Sequence, residues 1–199
     1  MRNPHRQSGT FIDGVHHIDF PVYYEDTDAG GVVYYANYLR FAERGRTEAL
    51  HLAGIDHVEL MEQYGIWFVA RRCVVDYLKP GRLDDILVVR TSIREMRNTS
   101  LLMRQEIGKY VFDDAESLSQ GGQQAAPALS GVRQHASPCE VQHAPQRGKQ
   151  NTAMHRIADI AVVDAFMVCV NTAVKPNKIP EPVREALLAC LPVQAEPTS

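Results

Sequence analysis

The chain has 199 residues, 45% of them hydrophobic and 23% charged, enough to build the core of one globular domain or slightly more. A net charge of −3 creates no field that would gather DNA or RNA, so nucleic acid is not an expected partner. No apolar run reaches the length of a membrane span and the amino-terminal MRNPHRQSGTFIDGVHH lacks the apolar stretch of a signal peptide, so the expected location is cytoplasmic.

Residues 1–17 read as a flexible amino terminus. Ile18–Tyr24, IDFPVYY, reads as a strand with its proline at a tolerable edge position. Glu25–Tyr38 then reads EDTDAGGVVYYANY: two aspartates, a Gly-Gly pair, then valines and tyrosines. A turn needs one Asp or Gly, so the excess suggests a carboxylate held where the backbone bends closely around something. In the following NYLRFAERGRTEALHLAG, residues Tyr38, Phe41, Ala42, Ala49 and Leu52 recur at three- and four-residue spacing, which predicts one amphipathic helix. Asn37 is its expected N-cap and Gly54 the residue just past its end. Gly45 inside it costs about 1 kcal/mol relative to alanine, and close packing of the helix on a sheet would account for its presence.

Three β-like runs follow, Trp67–Leu78, Ile86–Met96 and Thr99–Ile107. KPGRLDD joins the first two through a turn, and Arg97-Asn98 is short enough to make the other two a hairpin. Residues 108–156 are dominated by Gln, Ala, Ser, Gly and Pro with almost no periodic apolar positions, which predicts a disordered insertion at a hairpin tip. Ile157–Val170 is a final β-branched run, and Val183–Leu191 a short helix with Pro182 in its first turn. One domain is thus expected over 18–190, with a flexible tail at 191–199. Cys73, Cys139, Cys169 and Cys190 form no CxxC pair and read as reduced structural thiols, Cys73 and Cys169 as core residues. One helix followed by hairpin-linked strands predicts an α+β architecture, the helix covering one face of an antiparallel sheet.

YYEDTDAGGVVYYANYLRFAERGRTEAL, together with YLKPGRLDD and REMRNTSL, resembles the acyl-CoA thioesterases of the 4-hydroxybenzoyl-CoA thioesterase family, in particular their Tol-Pal-associated, YbgC-type branch. The resemblance spans about 18–107 and resumes at about 157–188. It implies the hotdog fold, a curved five-stranded antiparallel sheet wrapped around one central helix. It also implies a homodimer or homotetramer, acyl-CoA as substrate, acyl-carrier protein as a further partner, and no cofactor beyond the coenzyme A of the substrate.

Thioester hydrolysis needs a base or nucleophile near the carbonyl carbon and donors near its oxygen. By resemblance Asp28 is the catalytic carboxylate, acting as nucleophile or as base toward water, and the backbone N–H of Tyr35 is the key oxyanion donor. Gly30 and Gly31 let the backbone approach closely, and the helix start presents free, positively biased N–H groups. With Asn37 as cap, Asp28 is left with no structural task, while Asp26 reads as a turn-stabilising carboxylate. Tyr35 stands where the YbgC-type branch often carries histidine, which bears on the acyl pocket. Arg97 and Thr99 lie in the hairpin expected near the nucleotide end of coenzyme A. Arg71 and Arg72 are adjacent strand positions expected to face opposite ways, one of them toward the cofactor portion. His135, Cys139 and His143 are spaced for one helix face, but Pro138 interrupts it and no fourth ligand is in place, so no metal is expected. A hotdog dehydratase and a non-catalytic binding module for acyl carriers or envelope proteins are the competing functions. No histidine lies in the strand-to-helix loop for the first, and retention of Asp28 and both glycines opposes the second.

Overall fold

The computed structural model describes residues 9–111 and 156–193. In chain order these form β1 (Thr10–Ile12), β2 (Val15–Pro21), a 3-10 turn (Tyr24–Asp26), α1 (Asn37–Leu52), α2 (His57–Tyr64), β3 (Ile66–Tyr77), β4 (Ile86–Met96), β5 (Ser100–Val111), β6 (Arg156–Asn171) and α3 (Glu181–Cys190). The strands make one sheet in the order β1-β2-β4-β5-β6-β3, and α1 packs against β2, β4 and β5. A long helix held by one antiparallel sheet is the hotdog arrangement.

The helix is placed by burial of its apolar stripe. Phe41 and Ala42 pack with Leu87 and Val89 of β4, Ile107 of β5 and Val163 of β6, while Val22 and Val33 close the same cluster. Toward its far end, Ala49 and Leu50 join Ile93, Met103, Leu60 of α2 and Leu187 of α3. Burying side chains of this size contributes about 1.5–3 kcal/mol each. Gly45 faces β4 so closely that a Cβ would lie 2.7 Å from Val89 Cγ1. The glycine is therefore the close-approach point of helix and sheet.

The structure departs from the expected elements in several places. Among the described residues the sheet has six strands, not five: the expected flexible residues 1–17 include β1 and the start of β2. Asp13 and Gly14 join these two strands with φ of 49° and 74°, the two left-handed positions of a tight hairpin. β2 ends at Pro21, and the chain beyond it turns into the 3-10 segment. Helix α2 was not expected from the pattern. Its Asp56 side chain accepts the N–H of Val58 and Glu59, and Gly65 closes it with φ 62°, the left-handed helix end. β5 runs on to Val111 and β6 starts at Arg156, so the first residues of the expected insertion are sheet. There the Lys109 ammonium pairs with Asp85 and the Tyr110 hydroxyl donates to Asp19. The rest of the insertion, with His135, Cys139 and His143, lies outside the described residues. Leu191, expected to open a flexible tail, is fully buried beneath α3. Cys169 is buried in the core and burial pushes its thiol pKa up, but Cys73 is exposed rather than a core residue. No helix among the described residues is long and apolar enough to cross a membrane.

Candidate active site

The segment between β2 and α1 is a small self-bonded loop. Thr27 and Val33 form a bridge, the Asp28 N–H donates to Val32 O at 2.9 Å, and the Gly31 N–H donates to Asp28 O at 3.0 Å. Gly31 has φ 71°, a conformation in which a Cβ costs about 1–2 kcal/mol. At Gly30 a Cβ would sit 3.1 Å from Asp28 Oδ1, a tight contact that would push on the carboxylate. The carboxylate itself accepts the Gly30 N–H at 2.8 Å through that oxygen. Asp28 therefore does have a local structural task, contrary to the expectation from the sequence. Its Oδ2 takes no partner among the described residues, and the side chain is exposed.

Asp26 lashes the loop to the helix start. It is only 4% exposed; its Oδ2 accepts the Tyr23 N–H at 3.0 Å, and its carbonyl accepts both the Tyr34 N–H at 2.9 Å and Asn37 Nδ2 at 2.9 Å. Asn37 is thus not the N-cap. The cap position is Ala36, whose methyl side chain makes no cap bond, and the Asn37 amide holds Asp26 instead. At this helix start the Tyr34 N–H goes to Asp26 O and the Asn37 N–H to Tyr34 O at 2.8 Å. The Tyr35 N–H has no acceptor among the described residues. An uncapped helix start with a free N–H is a ready donor site for a developing oxyanion.

Beside it is an open cleft of about 300 Å³ lined by Val33, Tyr35, Tyr38, Tyr77, Leu78 and Lys79 among others. The Tyr77 hydroxyl donates to Tyr35 O at 3.1 Å, and its ring meets those of Tyr35 and Tyr38 at centroid distances of 6.5 and 5.7 Å. Tyr38 is buried, accepts the Gly81 N–H at 2.9 Å, and has its phenol pKa raised, chiefly by burial. Tyr38 and Tyr77 were not singled out in the sequence. Tyr38 was visible only as a core position and Tyr77 only as the end of a strand.

The expected coenzyme-binding residues gather elsewhere. Arg71 and Arg97 line one cleft of about 180 Å³ together with Ser100, Leu102 and Phe166. The register of β3 against β6 slips between Ala70 and Arg72, so Arg71 is the extra residue of a bulge. Arg72 stacks its guanidinium 5.5 Å from the Phe166 ring, and Arg71 lines the cleft that Phe166 also lines. Arg97 pairs with Glu95 and its side chain remains 72% exposed. Thr99 contributes its carbonyl to the Cys169 N–H at 2.9 Å, fastening the hairpin to β6. The sequence thus named two separate groups, Asp28, Gly30, Gly31 and Tyr35 around the helix start, and Arg71, Arg72, Arg97 and Thr99 around Phe166 and β6.

Among the described residues no group of three or more His, Cys, Asp or Glu side chains is placed to hold a metal ion.

Comparison with known proteins agrees with this architecture. The profile of the Thioesterase superfamily matches residues 30–109. The chain is 51% identical over 86 residues to an Escherichia coli protein named acyl-CoA thioester hydrolase YbgC, covering 43% of this chain and 63% of that one. It is 44% identical over 90 residues to the acyl-CoA thioesterase YbgC of Haemophilus influenzae, covering 44% and 66%. It therefore spans a little under two thirds of the length of these relatives. Among solved structures, the 4-hydroxybenzoyl-CoA thioesterase of Pseudomonas sp. strain CBS-3 superposes with a TM-score of 0.61 at 15% identity, covering 86% of this chain and 98% of that one. A probable thioesterase from Bartonella henselae gives 0.56 at 22%, covering 83% and 99%. The helix and sheet give this chain the hotdog fold of those structures, and its residues 30–109 are similar in sequence to the Thioesterase superfamily and to YbgC-type relatives.

Proposed function

We propose that the protein hydrolyses acyl-CoA thioesters to the free acid and coenzyme A. The observation that carries this reading is the unpaired Tyr35 N–H at the start of α1, on the same short segment as the Asp28 carboxylate. The thioester carbonyl would rest on that N–H, where a well-placed donor contributes about 3 kcal/mol to the transition state. The free Oδ2 of Asp28 would take a proton from an attacking water or attack the carbonyl itself. The C–S bond then breaks, the thiolate of coenzyme A leaves and is protonated, and where Asp28 itself has attacked, water hydrolyses the acyl–Asp28 anhydride to free acid and carboxylate. Gly30 and Gly31 hold the carboxylate's turn. No cofactor beyond the substrate's own coenzyme A enters this scheme.

Arg71, Arg97 and the Thr99 hairpin are assigned to the phosphates of the coenzyme, with Arg72 stacked beside them. The twelve-residue strand β3 borders the sheet and exposes residues Ala70 to Cys73. Such an open edge favours pairing with a second copy, so a homodimer, or a tetramer built from it, is part of the proposal, as are an acyl-carrier protein as further partner and a cytoplasmic location. The test is a thiol-release assay over acyl-CoAs differing in chain length and aromaticity, with sedimentation for the oligomer. Turnover of at least one class supports the reading. Tight binding without thiol release would make the protein a binding module instead.

A further inference from the structure

The peptide before Tyr35, which carries its N–H, is held through Tyr34 O by the Asn37 N–H, but the peptide after it is not tethered by the helix. The Leu39 N–H turns to Ala36 O at 3.2 Å, so the Tyr35 carbonyl stands outside the α1 ladder. What reaches it is the hydroxyl of Tyr77, 42 residues away at the last position of β3, at 3.1 Å. Tyr77 is itself held on both sides. Its backbone pairs with Ala161 of β6, and its ring lies against the rings of Tyr35 and Tyr38. Tyr38 in turn is anchored by the Gly81 N–H. A chain of contacts thus runs from the edge strand through one phenol to the residue whose N–H is free.

We infer that Tyr77 is a positioning residue for the oxyanion donor: its hydroxyl fixes the orientation of the Tyr35 backbone, and with it the direction of the Tyr35 N–H. The inference rests on the hydrolytic reading of the site. The geometry has a chemical logic. A carbonyl that accepts a phenol hydrogen bond cannot swing freely about the bonds flanking Tyr35 Cα, and those bonds set where the preceding N–H points. The phenol donates without bringing charge, so it orients the donor without competing for the oxyanion.

Tyr77→Phe keeps the ring and its packing and removes only the donor. A single neutral hydrogen bond predicts a fall in kcat of about 5- to 10-fold, with KM within about twofold and an unchanged pH profile, because the base remains Asp28. Selective 15N-tyrosine labelling reads the same geometry without turnover, with Tyr35→Phe identifying the Tyr35 cross-peak. In Tyr77→Phe the Tyr35 cross-peak should shift or broaden while those of Tyr23 and Tyr110 stay put. An unmoved Tyr35 cross-peak overturns the inference whatever the kinetics. A moved cross-peak with unchanged kcat overturns it as well, since the positioning would not matter to the reaction. A rise in KM with kcat retained would make Tyr77 a substrate contact rather than a positioning residue. Absence of hydrolysis in the wild-type protein refutes the hydrolytic reading, and the catalytic role of Tyr77 falls with it, whereas a moved cross-peak would leave the tether itself intact.

Discussion

Gly45 of α1 and Val89 of β4 meet with no room for a methyl group, since a Cβ on Gly45 would lie 2.7 Å from Val89 Cγ1. In an isolated helix Gly→Ala gains about 1 kcal/mol. Here the added Cβ must push α1 away from the sheet, and overpacking of that kind costs about 1–3 kcal/mol. Gly45→Ala should therefore destabilise the protein, read as a lower midpoint in urea. Because α1 carries both Tyr35 and the Asp28 loop at its start, kcat should fall with it. A more stable Gly45→Ala protein would mean the helix has slack against β4.

Asp28→Asn should leave a folded protein, because the amide oxygen can still accept the Gly30 N–H. It cannot serve as base or nucleophile, so kcat should fall by at least about 10²-fold. Asp26 calls for the opposite outcome. It is buried and its side chain fixes the Tyr23 N–H, so Asp26→Ala should cost about 1–3 kcal/mol of stability, with kcat in the surviving folded fraction changed far less. Retention of more than about a tenth of kcat in Asp28→Asn, where a lost base predicts about 10²-fold or more, would remove Asp28 from the chemistry.

Arg97→Ala and Arg71→Ala should each raise KM for coenzyme A thioesters with little change in kcat, since a phosphate contact remote from the carbonyl contributes uniform binding. The two arginines share a cleft, so their effects should be less than additive. Thioesters of truncated pantetheine should be indifferent to both substitutions. Equal losses on full-length and truncated thioesters would place the phosphates elsewhere.

His17 is half-buried on β2 opposite Arg90. Burial first, then Arg90 and His16, lower its pKa below the ordinary value, against weaker opposition from Asp19 and Glu106. The folded state therefore resists a proton that the unfolded chain accepts. Stability is unaffected well above the ordinary histidine pKa and declines as pH falls through it toward the lower folded value. Between about pH 7.5 and about pH 5, a window that brackets the ordinary histidine pKa, the wild-type Tm should drop more than that of His17→Gln. Parallel curves for the two proteins would show that His17 is not the responsible group.

What the sequence determined by itself is local. The stripe Tyr38, Phe41, Ala42, Ala49 and Leu52 reports α1 because side chains three and four apart share a helix face whatever lies opposite. The Asp28-to-Gly31 turn is equally self-contained, its hydrogen bonds closing within five residues. Two misses were also local and so were legible: Asp13-Gly14 as a hairpin turn, and Asp56 with Gly65 as the two ends of α2. Only the tertiary structure decided the rest. Asn37 looked like a cap until the fold brought its amide to Asp26 O. Arg71 and Arg72 read as alternating strand positions until pairing with β6 makes Arg71 the extra residue of a bulge. Arg46 of α1 is buried and donates to Gln105 of β5 at 2.7 Å. Tyr77 reaches Tyr35 only because β3 crosses to the edge beside β6 rather than pairing with its neighbour in sequence. Each of these depends on which strand lies beside which, and in which register. That choice is set by the summed burial of residues far apart in the chain, and no local window contains it.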